Sequence, residues 1–230
     1  MSSIQHDSFV YDVFAGVGPF AVPLGRKKSC TVYANDLNPS SFEYLQKNVT
    51  LNKMKGFGCV HCSNLDGREF IKTVVRNHLT ERILNILESS KSSSVSQEEP
   101  QSEPLSYVIM NLPGLAVEFL DAFTSLLKDI PDTAKSQAET WACVLPTVHC
   151  YSFTSKMEDM RDDMKSRAES ALGHPLPQEF EVRYVRNVAP KKEMVCLSFK
   201  LSPDLVLFQH TSIDGDINEG MVCPDEMTIV

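Results

Sequence analysis

The sequence has no long apolar run, because no window approaches the roughly 18 apolar residues that a membrane span requires. Its first residues, MSSIQHDS, lack both the basic region and the apolar core of a secretory signal. Its seven cysteines are few and odd in number, which does not suit a disulfide framework. We therefore expect no membrane span and no secretion, but one domain with a sizeable core in a reducing compartment.

A second cysteine pair at zinc-binding spacing is also lacking. The segment Cys59–Cys62 reads CVHC, but its composition is typical of a strand, in which residues i and i+3 point to opposite faces. These cysteines are therefore interpreted as ordinary core and surface residues, and we expect no metal site.

Basic residues are scarce in two stretches, and these account for the formal net charge of −8. Residues 202–230 contain six carboxylates and no Lys or Arg, and residues 88–106 contain four glutamates and one lysine. The rest of the chain is close to neutral and can carry a basic patch, so the net charge does not exclude an RNA partner. The pattern predicts a folded domain over residues 1–201, with a disordered insertion at about 88–106 and a disordered acidic tail over 202–230.

Apolar runs alternate with amphipathic segments along the folded part. The runs predict strands at 9–14, 31–34, 57–62, 107–110, within 141–153, at 180–188 and at 194–201. Helices are predicted within 16–24, from Ser40 or Ser41 to 52, and over 69–87, 116–127 and 157–172, with a polar loop at 129–140. Alternating strands and helices indicate an α/β fold with a doubly wound parallel sheet, to which the last two strands add an antiparallel edge hairpin.

Side chains suited to ligand binding follow the first four predicted strands. They are Asp12 with Gly16 and Gly18, then Asp36, then Asp66, and then Asn111. In a doubly wound sheet, ligands lie outside the carboxyl ends of the strands. A carboxylate after the second strand can accept from both ribose hydroxyls, and one after the third can accept from an adenine amino group. The turn GVGPF lacks the third glycine of GxGxxG, which disfavours a nicotinamide dinucleotide and leaves another nucleoside cofactor.

Each of these residues also has a purely structural interpretation. Asp36 with Asn38 can form a turn and a helix cap, Asp66 and Gly67 form a common turn pair, and Asn111 can simply end a strand. The functional interpretation rests on their recurrence at consecutive strand ends.

Longer motifs cover most of the stretch from 9 to 201. They are VYDVFAGVGPFAVPLGRK, VYANDLNPSSFEYLQKNVTLNK, SNLDGREF, VIMNLPGLAVEFLDAF, PTVHCYSF and VRYVRNVAPKKEMVCLSFKL. On these motifs the chain resembles the C-terminal catalytic portion of the eukaryotic and archaeal tRNA (guanine-37-N1)-methyltransferase family. The resemblance implies the Rossmann-like class I methyltransferase fold, S-adenosyl-L-methionine as methyl donor, and methyl transfer to N1 of guanosine 37 in tRNA anticodon loops.

The resemblance also implies roles for individual residues. It places Phe14, Gly16 and Gly18 under the methionine portion, Asp36 and Leu37 at the ribose and adenine, Asp66 and Gly67 at the adenine, and the catalytic Asn111 beside donor and target guanine. Because guanine N1 loses a proton, a general base is needed, and an amide such as Asn111 can orient the base edge but cannot accept that proton. In the family, the proposed acceptor and a cationic partner belong to a Pro-Arg…Glu-Arg stretch upstream of the glycine-rich strand. These 230 residues do not include that stretch, so we expect a cofactor pocket in a shortened chain.

A local basic cluster is expected to contact RNA phosphates from the closing hairpin. The predicted RNA-binding residues are Arg183, Arg186 and Lys191, together with Tyr151, which could stack on a flipped-out base. A solvated hairpin surface and an ordinary core tyrosine are the alternatives.

Two other functions remain open at this point. A closely similar fold serves the aminocarboxypropyl transferases of the wybutosine pathway, and a chain without a proton acceptor could be an idle cofactor-binding or interaction module. The family resemblance also implies the cytoplasm, nucleus and mitochondrial matrix as compartments, and we expect a monomer with tRNA and no membrane as partner.

Overall fold

A computed structural model describes residues 4–52, 59–92, 103–190 and 192–208. In this part of the chain, seven strands form one sheet in the order β3-β2-β1-β4-β5-β7-β6. The strands are β1 Phe9–Asp12, β2 Thr31–Asn35, β3 Val60–Ser63, β4 Ser106–Met110, β5 Thr147–Thr154, β6 Phe180–Ala189 and β7 Lys192–Lys200. Strands β1 to β5 are parallel, and β7 pairs antiparallel with both β5 and β6. This is the predicted parallel sheet with its antiparallel edge hairpin.

The helices lie between the strands and after the last one. They are α1 Ala21–Lys28, α2 Pro39–Leu51, α3 Gly67–Phe70, α4 Arg76–Ser92, α5 Asp132–Lys135, α6 Ala138–Trp141, α7 Met160–Leu172 and α8 Pro203–Leu207. Helices α1 to α6 connect the parallel strands, whereas α7 follows β5 and α8 follows β7. A π-helical segment, Ile71–Val75, joins α3 to α4, and 3-10 helices cover Ala116–Phe123 and Ala142–Val144. Among the described residues, no helix combines the length and hydrophobicity needed to cross a bilayer.

Two apolar clusters enclose the sheet. Alternation along the strands separates them: in β1, Val10 belongs to one cluster and Tyr11 to the other. The smaller cluster holds Leu24 of α1 and Leu45 of α2. The larger cluster lies on the opposite face, under α3, α4, α7 and the 3-10 helix, and includes the fully buried Trp141.

Several predicted boundaries are wrong. Asn38, rather than Ser40 or Ser41, caps α2, because its side-chain oxygen accepts from the Ser40 amide at 2.9 Å. The predicted regular helix over 116–127 is a 3-10 helix that ends at Phe123, and the loop predicted over 129–140 contains the short helices α5 and α6.

The predicted disordered segments are ordered at their ends. Helix α4 continues to Ser92 and β4 begins at Ser106, so the predicted insertion is shorter than 88–106, and its residues 93–102 lie outside the described residues. The predicted tail begins with α8, because Leu205 and Val206 are buried against the larger cluster. Residues 209–230 also lie outside the described residues.

Candidate cofactor-binding site

The candidate site lies where the strand order reverses. Strand β1 is flanked by β2 and β4, so the chain connects outward in opposite directions on its two sides. At such a switch point a crevice opens beyond the carboxyl ends of the strands. The residues that follow β1, β2, β3 and β4 therefore share one edge of the sheet, as the sequence predicted.

The glycine turn after β1 is joined directly to the residue after β2. The Gly16 amide donates to Asp36 Oδ2 at 2.8 Å, and the Asn38 amide donates to Asp36 Oδ1 at 2.9 Å. Each carboxylate oxygen can accept more than one hydrogen bond, so the half-buried Asp36 retains acceptor capacity for a ligand. Asp36 is thus both a turn residue and a candidate binding residue, so the two interpretations do not exclude one another.

The two glycines of the turn serve different purposes, although both have positive φ angles, +55° at Gly16 and +93° at Gly18. A Cβ at Gly18 would lie 2.8 Å from Leu45 Cδ1 and 2.9 Å from Val22 Cγ2, so Gly18 permits close packing of α1 and α2. A Cβ at Gly16 would meet nothing within 4 Å. Gly16 therefore borders open space, where a ligand can approach the backbone.

The buried Asn35 supports this arrangement, and sequence reasoning missed it. Its Nδ2 donates to the carbonyl oxygens of Val13 at 3.2 Å and Leu65 at 2.9 Å, and its Oδ1 accepts from the Leu65 amide at 2.9 Å. Asn35 thereby ties the loops after β1 and β3 to the end of β2. The amide immediately before Asp36 in NDLNP was the available signal.

Asn64 fixes the backbone next to Asp36 from the β3 side. Its Nδ2 donates to the carbonyl oxygens of Asp36 at 2.7 Å and Leu37 at 3.0 Å. The Leu37 side chain is left 64% exposed. An exposed apolar side chain beside a carboxylate suits the flat face and polar edge of a nucleoside.

The turn after β3 brings Asp66 and Gly67 against the glycine turn. Asp66 caps α3, with Oδ1 accepting from the Arg68 amide at 2.9 Å. A Cβ on Gly67 would lie 2.9 Å from Phe14 Cε1 and 3.0 Å from two ring atoms of Phe119. Phe14, predicted under the methionine portion of the cofactor, therefore contacts Gly67 and packs edge-to-face on Phe119 at 5.0 Å between ring centroids.

The most unusual group in the site is Asp12, at the end of β1. It is fully buried, and neither carboxylate oxygen makes a well-formed hydrogen bond among the described residues, although the Phe14 backbone amide has a minor lowering effect on its pKa. Burial, assisted by the negative charge of Asp36, raises the pKa of Asp12 from 3.8 to about 7. A buried carboxylate without a partner is costly and is stabilised by a cation. With the open space at Gly16, Asp12 therefore fits a cofactor that carries both a nucleoside and an ammonium group.

The loop after β4 presents Asn111 at the same edge. Asn111 is half-buried, and the Leu112 carbonyl behind it accepts from the amides of Leu115 at 2.8 Å and Ala116 at 2.7 Å. The Phe153 amide of β5 donates to the Pro113 carbonyl at 3.2 Å. The loop is thus held on both sides, which leaves the Asn111 amide available to orient a substrate.

The predicted RNA-binding residues lie on the β5-β7-β6 side of the sheet. Tyr151 pairs with Cys196, which pairs with Arg183, while Arg186 pairs with Met194. A register shift between Tyr184 and Arg186 puts the two arginines opposite residues two apart in β7, so both lie on the Tyr151 face. Lys191 lies outside the described residues.

A cleft of about 310 Å³ opens on this face, with Tyr151, Arg183 and His149 in its lining. Tyr151 is half-buried and stacks on Phe20 at 6.2 Å between ring centroids. The Nδ1 atom of His149 is 2.8 Å from Ser198 Oγ, while burial, assisted by Arg183, lowers the pKa of His149 to about 4. A pKa near 4 makes this imidazole a weak base, which disfavours His149 as a general base.

The chain is similar in sequence to a known methyltransferase domain and to named methyltransferases. Residues 1–92 match the TRM5/TYW2 methyltransferase domain. The tRNA (guanine(37)-N(1))-methyltransferase of Xenopus tropicalis is 49% identical over 207 residues, covering 90% of this chain and 37% of the relative. The Danio rerio enzyme of the same name is 44% identical over 219 residues, covering 95% of this chain and 40% of the relative. This chain therefore spans about two fifths of the length of these relatives.

Solved structures show the same fold. A structure of M. jannaschii TYW2 in complex with AdoMet has a TM-score of 0.52 at 23% identity and covers 86% of this chain and 71% of that chain. P. horikoshii TYW2 in complex with MeSAdo has a TM-score of 0.50 at 17% identity and covers 87% of this chain and 59% of that chain. The predicted doubly wound fold is confirmed by these structures, and the relatives confirm that the chain is similar in sequence to the enzymes that its motifs resemble.

Proposed function

We propose that this chain, which carries a methyltransferase domain of the TRM5/TYW2 family, transfers the methyl group of S-adenosyl-L-methionine to N1 of guanosine 37 in tRNA. The observation that carries the proposal is the convergence of Asp12, Gly16, Asp36 and Gly67 on one crevice at the strand switch point. The names and the 44–49% identity of the Xenopus tropicalis and Danio rerio relatives support the reaction and its substrate.

Each end of the cofactor has a matching group in the crevice. Asp36 would accept from the ribose hydroxyls, and the exposed Leu37 would cover the adenine face. Asp66 would accept from the adenine amino group, and Gly67, whose Cβ position is closed by Phe14 and Phe119, would contact the ring through its backbone. The buried Asp12 carboxylate would offset the ammonium charge of the methionine portion near Phe14, Gly16 and Gly18.

The bound cofactor supplies an activated methyl group on a sulfonium, so the main task of the protein is alignment. Asn111 would hold the guanine edge and bear part of the negative charge that develops on O6. Its amide cannot take the N1 proton, so removal of that proton requires another group. For this reason cofactor binding and turnover must be measured separately.

The tRNA would approach along the β5-β7-β6 side. Arg183 and Arg186 are exposed on one face and can contact phosphates, while Tyr151, which lines the cleft, can stack on a base. In the sequence, Lys191 follows Arg186 by five residues and adds a third basic residue to this cluster. We further propose that the protein acts as a monomer, without a membrane partner, in the cytoplasm, nucleus and mitochondrial matrix.

The decisive experiment measures two steps on one preparation. Isothermal titration with S-adenosyl-L-methionine reads binding, and methyl-labelled donor with transcripts carrying G37 or A37 reads transfer. Label incorporated into G37 but not A37 RNA supports the proposal, whereas binding without transfer identifies an idle module. Donor labelled in the carboxyl carbon tests the rival transferase, because label from that position enters RNA only when the aminocarboxypropyl group is transferred.

A further inference from the structure

We propose that Arg68 is a positioning residue that holds the Asn111 loop at a set distance from the Asp66–Gly67 turn. This inference rests on the proposed function, because it concerns the spacing between the cofactor side and the substrate side of the same crevice. Arg68 is the second residue of α3 and follows Gly67 directly. Its guanidinium extends away from the helix toward the 3-10 helix that follows the Asn111 loop.

Arg68 makes three different contacts with that 3-10 helix. Its Nε is 2.9 Å from both carboxylate oxygens of Asp121, and its Nη2 donates to the Glu118 carbonyl at 2.9 Å. The guanidinium carbon also lies 4.3 Å from the centroid of the Phe119 ring. The planar guanidinium allows all three contacts at once, which an ammonium group could not reproduce.

The contacts of Arg68 also reach the residues proposed to bind the cofactor, through the Phe119 ring. Phe119 lies between Arg68 and Phe14, and both phenylalanine rings are close to the position of a Gly67 Cβ. The glycine turn, the Asp66–Gly67 turn and the 3-10 helix therefore meet around Phe119. Any shift of Phe119 would change the spacing of these three segments together.

On its other side, the 3-10 helix is continuous with the Asn111 loop. Its first residue, Ala116, donates to the Leu112 carbonyl at 2.7 Å. The helix runs for eight residues, Ala116–Phe123, although 3-10 helices longer than three or four residues are uncommon because their hydrogen bonds have poorer geometry. A segment of this kind depends on outside contacts for its position, and Arg68 provides three.

The Arg68–Asp121 ion pair is too exposed to contribute much to the stability of the fold. Its side chains are 37% and 45% exposed, and exposed ion pairs contribute little to folding. The chain offers a matched control in Arg76 and Asp129, a pair 3.6 Å apart that joins α4 to the loop after the 3-10 helix. Its side chains are 43% and 68% exposed, and neither residue belongs to the proposed site.

The test compares Arg68→Ala and Asp121→Ala with Arg76→Ala. We call the contacts of Arg68 with Glu118, Phe119 and Asp121 the clamp, and Arg68→Ala and Asp121→Ala the clamp variants. We expect both clamp variants to unfold at the same urea concentration as the control, but to lose roughly tenfold to a hundredfold in kcat for methyl transfer, because alignment is lost. Asp121→Asn keeps an acceptor for Arg68 Nε and should retain most of the rate. Hydrogen exchange of the amides at 115–124 should accelerate in the two clamp variants and not in Arg76→Ala.

Hydrogen exchange keeps this inference separate from the proposed function. If the wild-type chain transfers no methyl group but the two clamp variants still accelerate exchange at 115–124, the proposed function fails and the clamp stands. Equal exchange in Arg68→Ala and Arg76→Ala would overturn the clamp, whatever the enzyme activity. A kcat unchanged by Arg68→Ala in an active enzyme would overturn its positioning role.

Discussion

The Gly16 amide donates to Asp36 Oδ2 at 2.8 Å, so the turn after β1 and the residue after β2 form one binding surface. Asp36→Ala removes both this hydrogen bond and the acceptor proposed for the ribose. We expect the affinity for S-adenosyl-L-methionine to fall about tenfold to a hundredfold, the range for losing one or two hydrogen bonds to a charged group. Isothermal titration measures the change. Glu43→Ala, an exposed position on α2, is the control, and equal loss in both variants would contradict the role of Asp36.

Gly67 is predicted to tolerate no side chain, because a Cβ there would lie within 3.0 Å of Phe14 and Phe119. Gly67→Ala should lower the free energy of unfolding by about 1–3 kcal/mol, as overpacking does, and should weaken cofactor binding. Urea denaturation measures the first effect. Gly114→Ala is the matched control, since a Cβ at Gly114 meets nothing within 4 Å and should leave stability nearly unchanged. A stable Gly67→Ala protein with full affinity would refute the prediction.

The buried Asp12 should make the ligand-free protein less stable as pH rises. Its pKa is raised from 3.8 to about 7, so the folded state holds a proton that the unfolded state has released. The stability contributed by the protonated form is complete below pH 4 and is lost as pH rises through 7, by about 4 kcal/mol in total. Asp12→Asn should remove this loss. Urea denaturation at several pH values between 4 and 8 measures the free energy of unfolding of both proteins. If it fell equally with pH in the wild type and in Asp12→Asn, the prediction for Asp12 would be contradicted.

His149 should act in the opposite direction. Its pKa is lowered from 6.5 to about 4, so the folded state resists protonation that the unfolded state accepts. The stability gained from the neutral ring is complete above pH 6.5 and is lost as pH falls through 4, by about 3 kcal/mol. His149→Phe should flatten the acid side of the curve. His78, whose pKa burial also lowers to about 4, keeps part of the slope in that variant. An unchanged acid slope would rule out His149 as a contributor.

The basic face should govern RNA affinity through charge. Arg183→Gln with Arg186→Gln should weaken tRNA binding and reduce the dependence of log affinity on log salt concentration by about two. Filter binding at several salt concentrations gives this slope. Lys165→Gln with Lys72→Gln, on exposed helix positions, is the control for loss of two positive charges elsewhere. Equal slopes for the two double variants would exclude the hairpin as a specific contact surface.

The succession of strands along the chain, the type of sheet and the edge at which the candidate site lies could be predicted from sequence. Short apolar runs, a glycine turn and a polar residue after each run are local patterns, and parallel strands necessarily bring their carboxyl ends to one edge. The structure brings Asp36, Asp66 and Asn111 to that edge, as the sequence predicted, while their roles in binding stay predictions.

The side-chain partners that connect these residues could not be predicted, because they depend on where distant segments meet. Asn35 ties two loops to the end of β2, Arg68 reaches a helix some fifty residues away in sequence, and Asp12 is buried only once β1 lies inside the sheet. The local sequence pattern also did not predict helix α8. This short helix is stabilised by the packing of its two buried residues against the larger cluster, not by a periodic pattern of its own.

The sequence by itself determined the fold class and the set of chemical groups, since both follow from local polarity and turn formation. The tertiary structure decided which groups act together. Arg183 and Arg186 are three residues apart and would face opposite ways in a regular strand, but the register shift in β6 turns both to one side. Such a shift arises from pairing with β7, and pairing between separate strands is a property of the assembled sheet.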